Sequence, residues 1–195
     1  MNILLVGPPG SGKGTQGVRL SEILGSRHIA AGDLLRAEVA AQTELGQHVA
    51  GLMANGDLVP DDVILNLVLP AVEDAAAGPG YVLDGFPRTV AQAIEARRVL
   101  SHDGARADAV IYLDLDRDEL VRRILARAAE QGRTDDTPEV IANRLQVFEE
   151  ATRPLVDYYE SEGRLYHIDG SGTEDEVTAA IMKVLDGIAA AESAG

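Results

Sequence analysis

Cysteine is missing from all 195 positions of this chain. Its absence excludes disulfides and thiolate metal centres and agrees with a reducing, cytoplasmic compartment. Lysine is nearly missing too, occurring only as Lys13 and Lys183. In all, 17 basic residues face 32 acidic ones, for a formal net charge of −15. The field of so acidic a chain repels phosphate, which argues against broad binding of nucleic acid or anionic membranes. Long apolar runs are lacking as well. Met1-Asn2 leads directly into a short strand pattern, with no basic n-region and no stretch that could span a bilayer, so a soluble chain without a signal peptide is expected.

What is present begins at once. The apolar run Ile3–Val6 reads as a buried strand and Gln16–Leu24 as a helix, and between them stands Gly7-Pro8-Pro9-Gly10-Ser11-Gly12-Lys13-Gly14-Thr15. A glycine-rich turn between strand and helix lets backbone N–H groups approach a chain of phosphates, with the helix N-terminus and a lysine adding positive charge. The segment departs from the strict G-x-x-x-x-G-K-[ST] pattern, because Gly14 follows the lysine and the hydroxyl comes at Thr15. In an acidic protein such a site must gather its cations locally, which makes the placement of arginine informative.

Further apolar runs at Tyr81–Leu83, Ala109–Leu113 and Leu165–Ile168, with a shorter one at Arg27–Ala30, alternate with helical patterns. That alternation predicts an α/β domain with a five-stranded parallel sheet covered on both faces. Thr173 and Glu176 form a capping box, and Thr137 before Pro138 suits an N-cap with proline in the first turn. Two stretches read as insertions into a core of residues 1–29, 60–126 and 138–195. The first, 30–59, is expected to carry short helical pieces broken at Gly46, Gly51 and Asn55-Gly56. The second, 127–137, is polar and contains Gly132. Both are candidates for flaps over a site.

After the strand Tyr81–Leu83 comes Asp84-Gly85-Phe86-Pro87-Arg88, an acid at the end of a parallel strand beside a phosphate loop, where a magnesium-organising carboxylate belongs. Together with Gly7–Thr15 it makes the chain resemble the nucleoside monophosphate kinases, and most closely their short-lid adenylate kinase family. Ala30-Ala31-Gly32-Asp33-Leu34-Leu35-Arg36, Gly56-Asp57-Leu58-Val59-Pro60, Thr89–Gln92, Gly132–Asp136, Asn143-Arg144 and Gly172-Thr173 follow in family order, so the resemblance covers nearly the whole chain.

The resemblance implies a three-layer P-loop fold and the reversible transfer of the terminal phosphoryl group of MgATP to AMP, giving two ADP. It places Gly10, Ser11, Gly12, Lys13, Gly14 and Thr15 on the ATP phosphates, Arg123 and Arg127 along ATP, and the Gly172 backbone beside its adenine. Arg36 and Arg88 would grip the acceptor phosphate. Ala31, Asp57, Leu58, Val59, Gly85, Phe86, Pro87 and Gln92 would line the rest of the acceptor site. Arg133 and Arg144 would span both nucleotides and act with Lys13 and Arg88 in catalysis. Asp33 and Asp84 would order Mg2+ through water. Seven of the 17 basic side chains would then converge on one cleft.

A lid of at most eleven residues without cysteine leaves no room for the zinc of longer members. Ala31 stands where most members have threonine and is shared with uridylate/cytidylate kinases, whereas Gln92 suits adenine. AMP is therefore the expected acceptor, a UMP/CMP kinase the alternative, and a non-catalytic nucleotide binder a third reading. A monomer with small-molecule nucleotide partners is expected.

Overall fold

A computed structural model describes residues 1–100, 105–131 and 137–193, with backbone alone for 127–131 and 192–193. Five strands form one sheet: β1 (Asn2–Val6), β2 (Arg27–Ala30), β3 (Tyr81–Asp84), β4 (Ala109–Asp114) and β5 (Leu165–Asp169). Their order is β2-β3-β1-β4-β5, and all neighbours run parallel. The five predicted strands are thus all present, each within a residue of its expected limits. In β1, Leu4 lies opposite Leu83 of β3 and Val110 of β4.

Alternation along β1 assigns its side chains to two apolar layers, as the two-residue period of a strand requires. Leu4 and Val6 join Val68, Val72, Phe86 and Leu155 on one face, while Ile3 and Leu5 pack with Leu20, Ile181 and Leu185 on the other. Helices α1 (Lys13–Leu24) and α9 (Glu174–Ser193) cover the second face. Helices α4 (Asp61–Ala76), α5 (Val90–Leu100) and α8 (Pro154–Ser161) cover the first. A smaller apolar cluster of Leu120, Ile124, Ile141 and Leu145 joins α6 (Arg117–Gln131) to α7 (Pro138–Val147), which passes through a π-helical turn at Phe148–Thr152 into α8.

Both predicted caps form. Thr137 Oγ1 accepts from the Val140 N–H, and Glu176 accepts from the Thr173 N–H (2.8 Å) and hydroxyl.

The stretch 30–59 requires a correction. It holds two helices, α2 (Ala31–Ala40) and α3 (Glu44–Asn55), and the break lies at residues 41–43. Gly46 and Gly51 lie inside α3; only Asn55-Gly56 ends a helix as expected, with Gly56 at φ 81°. At Gly46 the missing side chain serves packing. A Cβ there would stand 2.1 Å from the Glu38 carbonyl oxygen, so α3 rests directly on the backbone of α2. The corner is fastened by Thr43, whose hydroxyl accepts from the Gly46 N–H at 2.9 Å and donates to Glu38 Oε2 at 2.6 Å. Of the second expected flap, residues 127–131 continue α6 and Thr137 caps α7, while 132–136 lie outside the described residues.

Candidate active site

The C-terminal ends of β1, β2 and β3 and the turn after β5 meet one cleft of about 940 Å³, at the end of the sheet where open parallel sheets hold ligands. From β1 comes the phosphate loop. Gly12, left-handed at φ 95°, stands at the N-cap of α1, so the helix's first N–H groups and positive dipole end open on the cleft. Gly10 cannot be replaced cheaply. Its φ is +84°, and a Cβ would lie 2.8 Å from both Ile124 Cγ1 and the Leu120 carbonyl oxygen, so the loop is pressed onto α6.

Lys13 Nζ donates to the carbonyl oxygens of Gly7 (2.8 Å) and Pro8 (2.9 Å), which holds its ammonium over the loop. Ser11 is buried and its hydroxyl has no hydrogen-bond partner among the described residues, an orphan at the place where phosphate oxygens are expected. Gly14 and Thr15 face the same cleft. A Cβ on Gly14 would lie 3.6 Å from Asp84 Oδ2, so the carboxylate that ends β3 looks directly at the loop.

A second group of cations stands opposite. Arg88 Nε donates to the Gly85 carbonyl oxygen at 3.0 Å, and Arg36 on α2 pairs with Asp33. Arg144 on α7 packs its stem where a Cβ on Gly56 would lie, 2.7 Å from Arg144 Cγ. Arg88 keeps surface in the cleft although protein rings its guanidinium. Desolvation pulls its pKa below the usual arginine value, Asp84 opposes the shift, and Arg144 and Arg36 add to it. The guanidinium stays charged regardless. Three neighbouring cations form a site that an anion would relieve.

Beside them Gln92 is 2% exposed and has both ends of its amide occupied. Oε1 accepts from the Arg88 backbone N–H at 2.7 Å, and Nε2 donates to Asp61 Oδ1 at 2.6 Å. Sequence reasoning missed Asp61, which from its position reads as an ordinary acid in a first helical turn. Asn143, next to Arg144, donates through Nδ2 to the Asn55 carbonyl oxygen (2.9 Å) and Asp57 Oδ1 (2.8 Å), tying α7 to the turn after α3.

On the other flank Arg123 pairs with Glu119 one turn away on α6, Nε to Oε1 at 2.6 Å. Glu119 also holds Arg122, and these two arginines, the Arg122 hydrogen bond first, bring its pKa from 4.5 to about 2.

The cleft therefore gathers Gly10 to Thr15, Ala31, Asp33, Arg36, Asp57, Leu58, Val59, Asp84, Gly85, Pro87, Arg88, Gln92, Arg123, Arg144 and Gly172. Phe86 is not among its lining residues: its ring is 2% exposed and packs in the core, preceding a cis peptide to Pro87. Arg127 lies on α6 with its side chain outside the described residues, and Arg133 lies outside them altogether. Among the described residues no three histidine or carboxylate side chains cluster as a metal site, and no helix is long and apolar enough to cross a membrane.

Fold and cleft together define a P-loop α/β protein in which three arginines share one cleft with the glycine-rich loop. A family model described as Adenylate kinase matches residues 5–164, and the chain belongs to that family. It is 47% identical to an adenylate kinase of Stenotrophomonas maltophilia (strain R551-3), over 96% of this chain and 100% of the relative. It shares 47% with an adenylate kinase of Xanthomonas oryzae pv. oryzae (strain MAFF 311018), over 95% and 99%. The figure is also 47% for one of Kocuria rhizophila, over 94% and 98%.

Proposed function

We propose that this chain transfers the terminal phosphoryl group of MgATP to AMP and, in reverse, remakes both from two ADP. One observation carries the reading: the cations Arg36, Arg88 and Arg144 crowd into a second anion site that shares its cleft with the phosphate loop. A protein that only bound ATP would have no use for it. The name of the relatives and the amide of Gln92 favour adenine over a pyrimidine as the acceptor base.

In this reading the loop from Gly10 to Thr15 wraps the ATP phosphates, with Lys13 leaving the carbonyls of Gly7 and Pro8 to follow the transferred group. Arg123, Arg127 and the Gly172 backbone flank the donor nucleotide. Arg36 and Arg88 hold the acceptor phosphate in line, and the segment Asp57–Val59 with Ala31, Gly85, Pro87 and Gln92 borders its base. Arg144, joined by Arg133, neutralises charge on the group in flight. No general base is needed, because the attacking oxygen is already anionic at neutral pH, so catalysis consists of alignment and electrostatic stabilisation.

Asp84, facing the loop beside Gly14, and Asp33 fit Mg2+ that keeps most of its water. Bound with ATP, the ion would neutralise part of the charge on its phosphates. The stretches 30–59 and 127–137 act as the acceptor arm and lid, and the protein works as a cytoplasmic monomer.

The test is a coupled assay offering AMP, UMP, CMP and GMP as acceptors. AMP is expected to give the highest kcat/KM, and preference for UMP or CMP would overturn the assignment.

A further inference from the structure

The Gln92 amide is held at both ends by groups of opposite character. The Arg88 backbone N–H fixes its oxygen (2.7 Å), and the Asp61 carboxylate fixes its nitrogen (2.6 Å). A primary amide has two N–H donors and two acceptor lone pairs, so one donor and one acceptor are left for the cleft that Gln92 lines. Their order along the edge is set. Turning the amide by 180° would put N–H against N–H at Arg88 and oxygen against carboxylate at Asp61.

We infer that Asp61 is a positioning residue for acceptor-base selection, locking Gln92 so that it reads a 6-aminopurine and rejects a 6-oxopurine. A 6-aminopurine offers a donor at its exocyclic nitrogen and an acceptor at N1, which complements the fixed amide. A 6-oxopurine of the same shape reverses both, offering an acceptor at O6 and a donor at N1–H. To bind it the amide must turn, and both locks oppose the turn. A polar pair that is buried and mismatched costs more than a lost contact, so the lock discriminates beyond what shape allows. The demand on it is greater here because Ala31, 1% exposed with a bare methyl, has no hydroxyl to offer a base.

The inference rests on AMP as the acceptor, and the experiment separates the two. kcat/KM for AMP and IMP is measured for the wild-type protein and for Asp61→Ala, Asp61→Asn and Asp62→Asn. Asp62 is exposed in the same first turn of α4, so Asp62→Asn reports the loss of a helix-terminal charge alone.

In Asp61→Ala the AMP/IMP ratio should fall by roughly tenfold, chiefly through KM, because one lock of two is gone. Asp61→Asn, which keeps an acceptor oxygen, should restore most of the ratio, and Asp62→Asn should leave it unchanged. Thermal unfolding confirms that each variant is folded. A wild-type protein inactive with AMP overturns the acceptor reading itself. Normal AMP activity with the same ratio in Asp61→Ala, or equal loss in Asp61→Asn and Asp62→Asn, overturns the lock.

Discussion

On the acceptor side of the cleft, polar groups hold one another across elements. Gln92 of α5 binds Asp61 of α4, Asn143 of α7 binds the turn after α3, and Thr43 fastens α3 to α2. On the donor side, Arg123 is held by Glu119 of its own helix, one turn away. Bonds between elements fix the relative positions of the groups proposed to touch an acceptor. A pair within one helix fixes only a rotamer, and at a partly exposed surface such a pair contributes little. In the proposed reading the bonds of Gln92 and Asn143 therefore let the acceptor side select, while Arg123, held only within its own helix, is left to adjust around the donor nucleotide.

The comparison can be broken most directly at Arg88. Replacing it with alanine should lower turnover at least about a hundredfold, by analogy with removing one donor to a developing charge. Steady-state kinetics with saturating ATP and AMP measure this, and near-normal turnover would end its assigned role.

A smaller effect is expected at Gly46, where alanine would drive a Cβ into the Glu38 carbonyl and force α2 and α3 apart. Overpacking of this kind costs ~1–3 kcal/mol, readable by urea unfolding. KM for the acceptor should rise while KM for ATP stays near its starting value. Equal changes in both would show that the two sides are not independent.

The smallest effect concerns Glu119 on the donor side. Its carboxyl should titrate near pH 2 instead of the ordinary 4.5, because Arg122 and Arg123 favour the anion. The sign follows from that lowering. The pair's support for α6 is complete above pH 4.5 and fades as the pH falls through 2. A carboxyl NMR titration gives the midpoint, and a value near 4.5 would leave Arg123 unheld.

How far the sequence carried depended on whether the information was local. The five strands, the phosphate loop and the caps at Thr137 and Thr173 rest on short-range patterns, and each stands where expected. That Arg36, Arg88 and Arg144 share a cleft was legible too, since each sits in a motif of its own. Gly46 did not, because a glycine that breaks a helix and one that admits a neighbouring helix look alike until the neighbour is in place. Asp61 was hidden for a similar reason: its partner stands 31 residues away on another helix. Phe86, placed at the acceptor site with its motif, turns its ring into the core beside the residues that do line the cleft.

The direct rest of α3 on α2 gives the acceptor arm the property of a gauge block. Arg36 stands on α2, and the segment 57–59 follows α3, so the span from the proposed phosphate grip to the proposed base edge is set by two backbones in contact, with no side chain between them at Gly46 to be squeezed or swung aside. Length becomes a criterion of its own. In the proposed reading the stretch from base to first phosphate, common to AMP and to the ADP it becomes, matches one fixed span.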